Sequence, residues 1–341
     1  MSRKITCIVC LAVVLLSACT DDEHWPAPFV VAEFADPIYE TDIFQAESRV
    51  YVATRRGAED EQVTDVYRVD LLSGEKTLLF STDGGYSDEF IVSADEKFIA
   101  ISVSPHDLSV ENLPRLELFD LSTNTKTVVK TAANGFFIPF AFDPENKKVL
   151  YSRYGTSDPK ALRTLDLASG AEEIIYEGNA RVVAINPVTS DILMSGFIMD
   201  WHGTVVGELI NTGFEPQFFS PDGKEIIGSR GFVWDANRNF IEVVRYTIAT
   251  GEVESLTGTK TKGEFWAASM SPDQNFVLGL TNDSRDHFYD DLFVVNTVTL
   301  KRNKLMSTQS KEQAIGFFDS GRKVLFIVPS NEKVLYGIKV D

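Results

Sequence analysis

Hydrophobic and polar residues alternate along most of this chain, in short runs broken by turn-forming residues. One series of segments reads as strand, tight turn, strand. Its members are "YRVDLLSGEKTLLF" from Tyr67, "LELFDLSTNTKTVV" from Leu116, "LRTLDLASGAEEII" from Leu162, "VRYTIATGEVESL" from Val244 and "FVVNTVTLKRNKL" from Phe293. The matched turn positions are Asp70, Asp120, Asp166, Thr247 and Asn296. The wide gap between Asp166 and Thr247 predicts one irregular copy, placed at "GELINTGF" from Gly207.

A second series precedes each of these. It comprises "IVSADEKFIAISV" from Ile91, "AFDPENKKVLYSR" from Ala141, "AINPVTSDILMSG" from Ala184, "FFSPDGKEIIGSR" from Phe218, "SMSPDQNFVLGLT" from Ser269 and "FFDSGRKVLFIVP" from Phe317, with "FQAESRVYVATR" from Phe44 as a degenerate first member. The dominant period is two and β-branched and aromatic residues prevail, so strands are predicted rather than helices. Asp and Gly suit the positive backbone angles of tight hairpins, and Pro presets the start of the turn.

Taken in pairs, the two series give seven units of two hairpins each. Four short strands repeated every ~45 residues predict an all-β chain, a β-propeller of seven four-stranded blades. Six or eight blades are the alternatives, because the unit around Ala184 to Gly213 is compressed. The last unit holds only three strands. The extra strand "PFVVAEFA", Pro28 to Ala35, is predicted to complete it, so that no edge stays open. No Pro-, Ser- or Gly-rich linker divides residues 28–341, which are expected to form a single domain.

The glycines, lysine and arginine of "FFSPDGKEIIGSRG" invite a phosphate-loop reading. Such a loop must open a helix, whose amides then converge on the anion. Here the turn opens into Glu225-Ile226-Ile227, another strand, so the segment is a blade hairpin. Ser220-Pro221-Asp222-Gly223-Lys224, followed by Ser229 and Arg230, resembles the TolB-type, WD-related propeller repeat, and Ser271-Pro272-Asp273 matches it in part. The resemblance covers about Phe44 to Asp341. It implies that the first strand of each blade lines a central channel. The start of that strand and the loop between second and third strands would share one face, and the Ser-Pro-Asp-Gly turns the other.

The first residues bear on location. Arg3 and Lys4 precede an apolar run, Ile5 to Leu16, that is too short to span a bilayer and reads as a signal-peptide core. It ends in Leu16-Ser17-Ala18-Cys19, which resembles the lipobox of bacterial lipoproteins. The expectation is a signal peptide over 1–18, a lipidated tether over 19–27 with Cys19 acylated, and a place in the cell envelope. Thr20 after the cysteine implies the outer membrane facing the periplasm, and Asp21-Asp22-Glu23 leaves surface exposure open. Cys7 and Cys10 would leave with the signal, so the mature domain would carry no free thiol for disulfides, thiolate metal sites or nucleophiles. A net charge of −18 opposes binding to nucleic acid or anionic headgroups, leaving the lipid to hold the membrane.

Candidate site residues follow from the implied geometry. His106, Trp201, His202, Trp234, His287 and Tyr289 are assigned to second-to-third-strand loops, and Trp266 to the start of a first strand. Surface aromatics favour a partner-binding face. The channel mouth is assigned Glu40, Asp88, Arg181 and Glu215, together with Ile138, Trp266 and Ala314. No Gly-x-Ser-x-Gly elbow and no His-Glu-x-x-His is present. A metal site from His106, His202 and His287 would need three loops to converge. The acid-rich stretch from Asp283 to Asp291 lacks EF-hand spacing, so no cofactor is expected and calcium is the alternative. The function expected is a non-catalytic, monomeric propeller that binds an envelope protein or peptide. The alternative is a hydrolase, lyase or lactonase acting on a small polar substrate, with Glu40, Asp88, Glu215 and Arg181 as acid, base and orienting groups.

Overall fold

The computed structural model of the chain describes residues 27–44, 48–58, 61–87, 89–106, 113–133, 135–155, 161–178, 181–209, 213–235, 238–257, 264–282, 291–307, 313–327 and 332–340. Among them there is no helix, and therefore none long and apolar enough to cross a membrane. The strands form seven separate antiparallel sheets in chain order, which are the blades of a seven-bladed propeller. The six- and eight-blade alternatives fall away.

The inner strands are Ile38–Phe44, Phe90–Val92, Phe136–Phe142, Val182–Ile185, Glu215–Phe219, Glu264–Met270 and Gln313–Phe318. In blade 2 a second short piece, Gly85–Tyr86, pairs with the same neighbour as Phe90–Val92. Blade 7 has the order predicted for closure. Gln313–Phe318, Lys323–Ile327 and Val334–Lys339 are joined at the outer edge by Phe29–Glu33, with Phe29 opposite Gly337 and Glu33 opposite Val334.

Alternation along the second strands explains the ring. In Arg49–Arg56, Val50 and Val52 pack towards blade 7, while Tyr51 and Ala53 pack towards blade 2. The same division recurs, so the buried residues fall into seven hydrophobic clusters, each between two adjacent blades. The cluster joining first and last blades unites Val31, Val50, Val52 and Val69 with Phe318, Leu325 and Leu335. Burying both faces of every sheet makes each blade's stability depend on its neighbours.

The turns behave as their residues demand. The hydroxyl of buried Ser220 accepts the Glu225 N–H at 3.0 Å and donates to Asp222 at 2.7 Å. Ser93 and Ser271 repeat this with Phe98 and Phe276 at 2.9 Å. The residue three places after each serine, or after Asp143, sits in the left-handed region: Glu96, Asn146, Gly223 and Gln274. At the other turn, Asp70 accepts the N–H groups of Leu72 and Ser73, and Asp120, Asp166 and Asn296 act alike.

Blade 4 departs from the expected register. Its second and third strands, Ile192–Met194 and Phe197–Met199, are joined only by Ser195 and Gly196, and its fourth strand is Val205–Glu208. The missing copy of the Asp turn is therefore Asp200, which accepts the N–H groups of His202 and Thr204 at 2.8 and 2.9 Å. The segment from Gly207 is the end of the fourth strand and the link to blade 5.

Candidate functional site

Two faces follow from the strand directions. Inner strands begin, and second strands end, at the face called here the mouth. The Ser-Pro-Asp and Asp turns lie at the opposite face. Trp201 and His202 belong to the turn after the third strand of blade 4, so they lie at the turn face and not in a mouth-side loop. Trp201 confirms this in its own bond, since its indole N–H donates to the Ser190 carbonyl, in the other turn of the same blade, at 2.8 Å. The reason is the two-residue Ser195-Gly196 loop, which moves the next turn forward in the sequence. His202 therefore cannot meet His106, and the three-histidine metal site is lost.

The other assignments fall out as follows. His106 follows the second strand of blade 2, Phe98–Pro105, at the mouth face. Trp234 lies near the end of the long second strand of blade 5, Glu225–Asp235, and Trp266 is the third residue of the inner strand of blade 6. Glu40 is on the inner strand of blade 1, opposite Ala53. Asp88, His287, Tyr289 and the acid-rich stretch up to Asp290 lie outside the described residues. Arg181 and Glu215 are brought together across blades 4 and 5 as an ion pair of 3.3 Å, with side chains 76% and 66% exposed. An exposed pair of this kind adds little stability. Among the described residues, no group of three or more His, Cys, Asp or Glu is placed to hold a metal.

The mouth also carries groups that the sequence pattern did not single out. Arg55, at the end of the second strand of blade 1, lies between two rings: its guanidinium carbon is 3.7 Å from the centre of Tyr39 and 4.6 Å from that of Tyr86. One of its N–H groups donates to the Ser87 carbonyl at 3.0 Å. The His106 ring continues the stack, 5.7 Å from Tyr86, and its Nε2 meets the Gln62 carbonyl at 2.6 Å, which places the proton on that nitrogen. Four planar groups thus run from blade 1 to blade 2. On blade 3, Phe136 begins the inner strand and stacks on Tyr154 with ring centres 5.6 Å apart and planes 11° apart.

Deeper in the channel wall, Asp42 accepts the Val92 N–H at 3.1 Å and so ties the inner strand of blade 1 to that of blade 2. Burial pushes its pKa up from 3.8 to about 6, and the Val92 N–H partly opposes this. In blades 3 to 6 each inner strand carries a bulge two residues before its end, and in blade 7 three residues before it. The bulged residue of blade 5, Gln217, has a buried side-chain oxygen with no protein partner.

One element overruns its blade. The hairpin Glu225–Asp235/Arg238–Thr247 pairs as far as Asp235 opposite Arg238. The inner strand of blade 5 reaches only to Ser229, and the outer strand Val253–Ser255 only to Val244. Beyond those points, among the described residues, the ribbon continues at the mouth face as two strands with no further sheet partner.

No known protein family matches the chain. No curated protein matches it either. Solved structures do. An oligogalacturonate lyase from Vibrio parahaemolyticus overlaps with a TM-score of 0.66 at 15% identity, covering 94% of this chain and 95% of that one. An oligogalacturonate lyase in complex with manganese gives 0.61 at 15% identity, covering 90% of each chain. The β-propeller domain of the Trilobed protease from Pyrococcus furiosus, described as having an open velcro topology, gives 0.61 at 11% identity and covers 92% of this chain and 95% of that domain. TolB from Acinetobacter baumannii is also among the matches, at a TM-score of 0.42 and 16% identity. At these identities the likeness is one of fold: the chain shares a β-propeller with the structures that overlap it over most of their length, here with its ring closed by the N-terminal strand.

Proposed function

We propose that this chain is a non-catalytic binding propeller of the cell envelope, held to the membrane through lipid on Cys19, that takes a protein or peptide partner at its mouth face. The observation that carries the reading is the overrunning hairpin of blade 5. A two-stranded ribbon without sheet neighbours is marginal alone, and exposed edges are normally kept short. This one extends past its blade and includes Phe232, Trp234 and Phe240, residue types that anchor partners. Replacing residues 232–240 by an Asn-Gly turn shortens the arm and spares Arg230 and Glu242 at its base. The trimmed protein is expected to keep its melting temperature and to lose recovery of its partner from envelope extracts. Recovery equal to that of the intact chain would sink the reading.

A second reading, a lyase or hydrolase at the mouth, is favoured by the whole-length overlap with two oligogalacturonate lyases. Arg181 would orient a substrate carboxylate, and Glu215 or Glu40 would move the proton. The described residues present no group of three His, Cys, Asp or Glu placed to hold a metal. Incubation with oligogalacturonate and manganese tests it by the ultraviolet absorbance of an unsaturated product. Turnover lost in Glu215→Gln supports it, and no turnover removes it.

A further inference from the structure

We infer that the partner segment is basic: the aromatic arc of blades 1 to 3 is suited to hold a lysine- or arginine-bearing peptide. This rests on the peptide-binding reading and names the chemistry of what is bound.

Two inner strands present aromatic rings at the mouth. Tyr39 is 47% exposed and Phe136 is 41% exposed, each at or near the start of its strand. A lone exposed aromatic means little. These two are supported. Phe136 lies on Tyr154 because Gly135, at φ +91°, brings the chain against the Tyr154 carbonyl oxygen; a Cβ on residue 135 would lie 1.7 Å from that oxygen. No side chain is compatible with that approach.

What such rings hold is visible one blade away. The protein's own Arg55 fills the space between Tyr39 and Tyr86, at cation–π distance from both. Among the described residues no cation stands over Phe136 or Tyr154, so blade 3 offers a similar aromatic surface to a cation from outside.

Charge points the same way. The chain has 50 acidic and 32 basic residues. At the mouth Glu40 follows Tyr39, Glu89 precedes the inner strand of blade 2, and the exposed cation Arg181 is paired with Glu215. The field of an acidic chain draws a basic segment over distance, and the rings retain its cationic groups at contact. A glutamate-bearing segment gains neither, and a neutral one gains no steering.

Fluorescence anisotropy of the full chain with three labelled peptides tests this. The peptides share length and spacing and carry Arg and Lys, Gln, or Glu. The basic peptide is expected to bind, more weakly as salt rises, and the Glu peptide not to bind. Phe136→Leu keeps apolar bulk and removes the ring. It should weaken the basic peptide about two- to five-fold at physiological salt with melting unchanged, and Phe136→Trp should retain binding. Equal binding of Gln and basic peptides overturns the inference. So does an unchanged affinity in Phe136→Leu, which would reduce the effect to general attraction by an acidic surface. Either result leaves the peptide-binding reading standing if the trimmed arm still abolishes partner recovery; that reading falls only if trimming has no effect.

Discussion

Replacing Asp42 by asparagine should make this protein more stable near neutral pH. The carboxylate sits in the channel wall and holds the Val92 N–H of the neighbouring blade. Burial disfavours its ionised form and raises the pKa from 3.8 to about 6. That rise corresponds to at most about 3 kcal/mol against the folded state near neutral pH, and solvent relaxation brings the expectation to ~1–3 kcal/mol. The sign follows from the raised value. The folded state binds the proton more tightly than the unfolded state, so the wild type gains stability as pH falls through about 6 and the gain is complete below about 4. Asparagine keeps an oxygen to accept the Val92 N–H and has no charge to bury. Urea unfolding of both proteins across pH measures the difference. It should be largest near pH 7.5 and vanish near pH 4. A variant no more stable than wild type near neutrality refutes the reasoning, and so does a difference that persists unchanged into acid.

Further predictions concern the turns and the blade interior. Asp70, Asp120, Asp166 and Asp200 are held below the ordinary carboxylate range by donors of their own turns: the backbone N–H groups of Ser73 and Thr204 for the first and last, the hydroxyls of Ser122 and Ser169 for the others. Their contribution is present above the unfolded value of 3.8 and is lost as pH falls through the depressed ones, so unfolding midpoints should drop steeply in the acid limb below about pH 4. Glu242, with its side chain 3% exposed, receives Arg230 at 2.5 Å and the Ser255 hydroxyl at 2.6 Å. Glu242→Ala should cost about 3–5 kcal/mol in denaturant titration, and pairing it with Arg230→Met should recover part of that loss. Gly223 and Gly170 share φ near +70°, but a Cβ on Gly223 would lie 2.3 Å from the Asn186 side-chain oxygen, whereas Gly170 has open space. Gly223→Ala should therefore cost about 2–3 kcal/mol and Gly170→Ala only about 1 kcal/mol, as read from melting shifts.

The fold was legible because each blade repeats the same local solutions. Asp70 and Ser220 mark turns through bonds to N–H groups within five residues, and alternation in Val50–Tyr51–Val52 marks a sheet buried on both faces. Closure was legible because one strand was missing at one end and one was spare at the other. In blade 4 the three-residue strands Ile192–Met194 and Phe197–Met199 carry too little alternation to set a register, and the turn signal of Asp200 is masked by the more conspicuous Trp201 and His202 beside it. The mouth was legible only in part. Arg181 and Glu215 follow from counting back from the turns, and they do meet. The Tyr39–Arg55–Tyr86–His106 stack is a relation among distant positions on two blades, and nothing local to any of the four residues announces it.

The closing strand has a direction as well as a partner. Phe29 pairs with Gly337 and Glu33 with Val334, so the strand rises from the turn face and finishes at the mouth face. The strand therefore begins at the turn side, at the rim of blade 7. With Cys19 acylated as proposed, about ten residues join the lipid to Phe29, a reach of at most ~35 Å. A ring standing on its Ser-Pro-Asp turns would open its mouth face away from the bilayer. A partner would reach it from the aqueous side and would not have to slide in along the membrane.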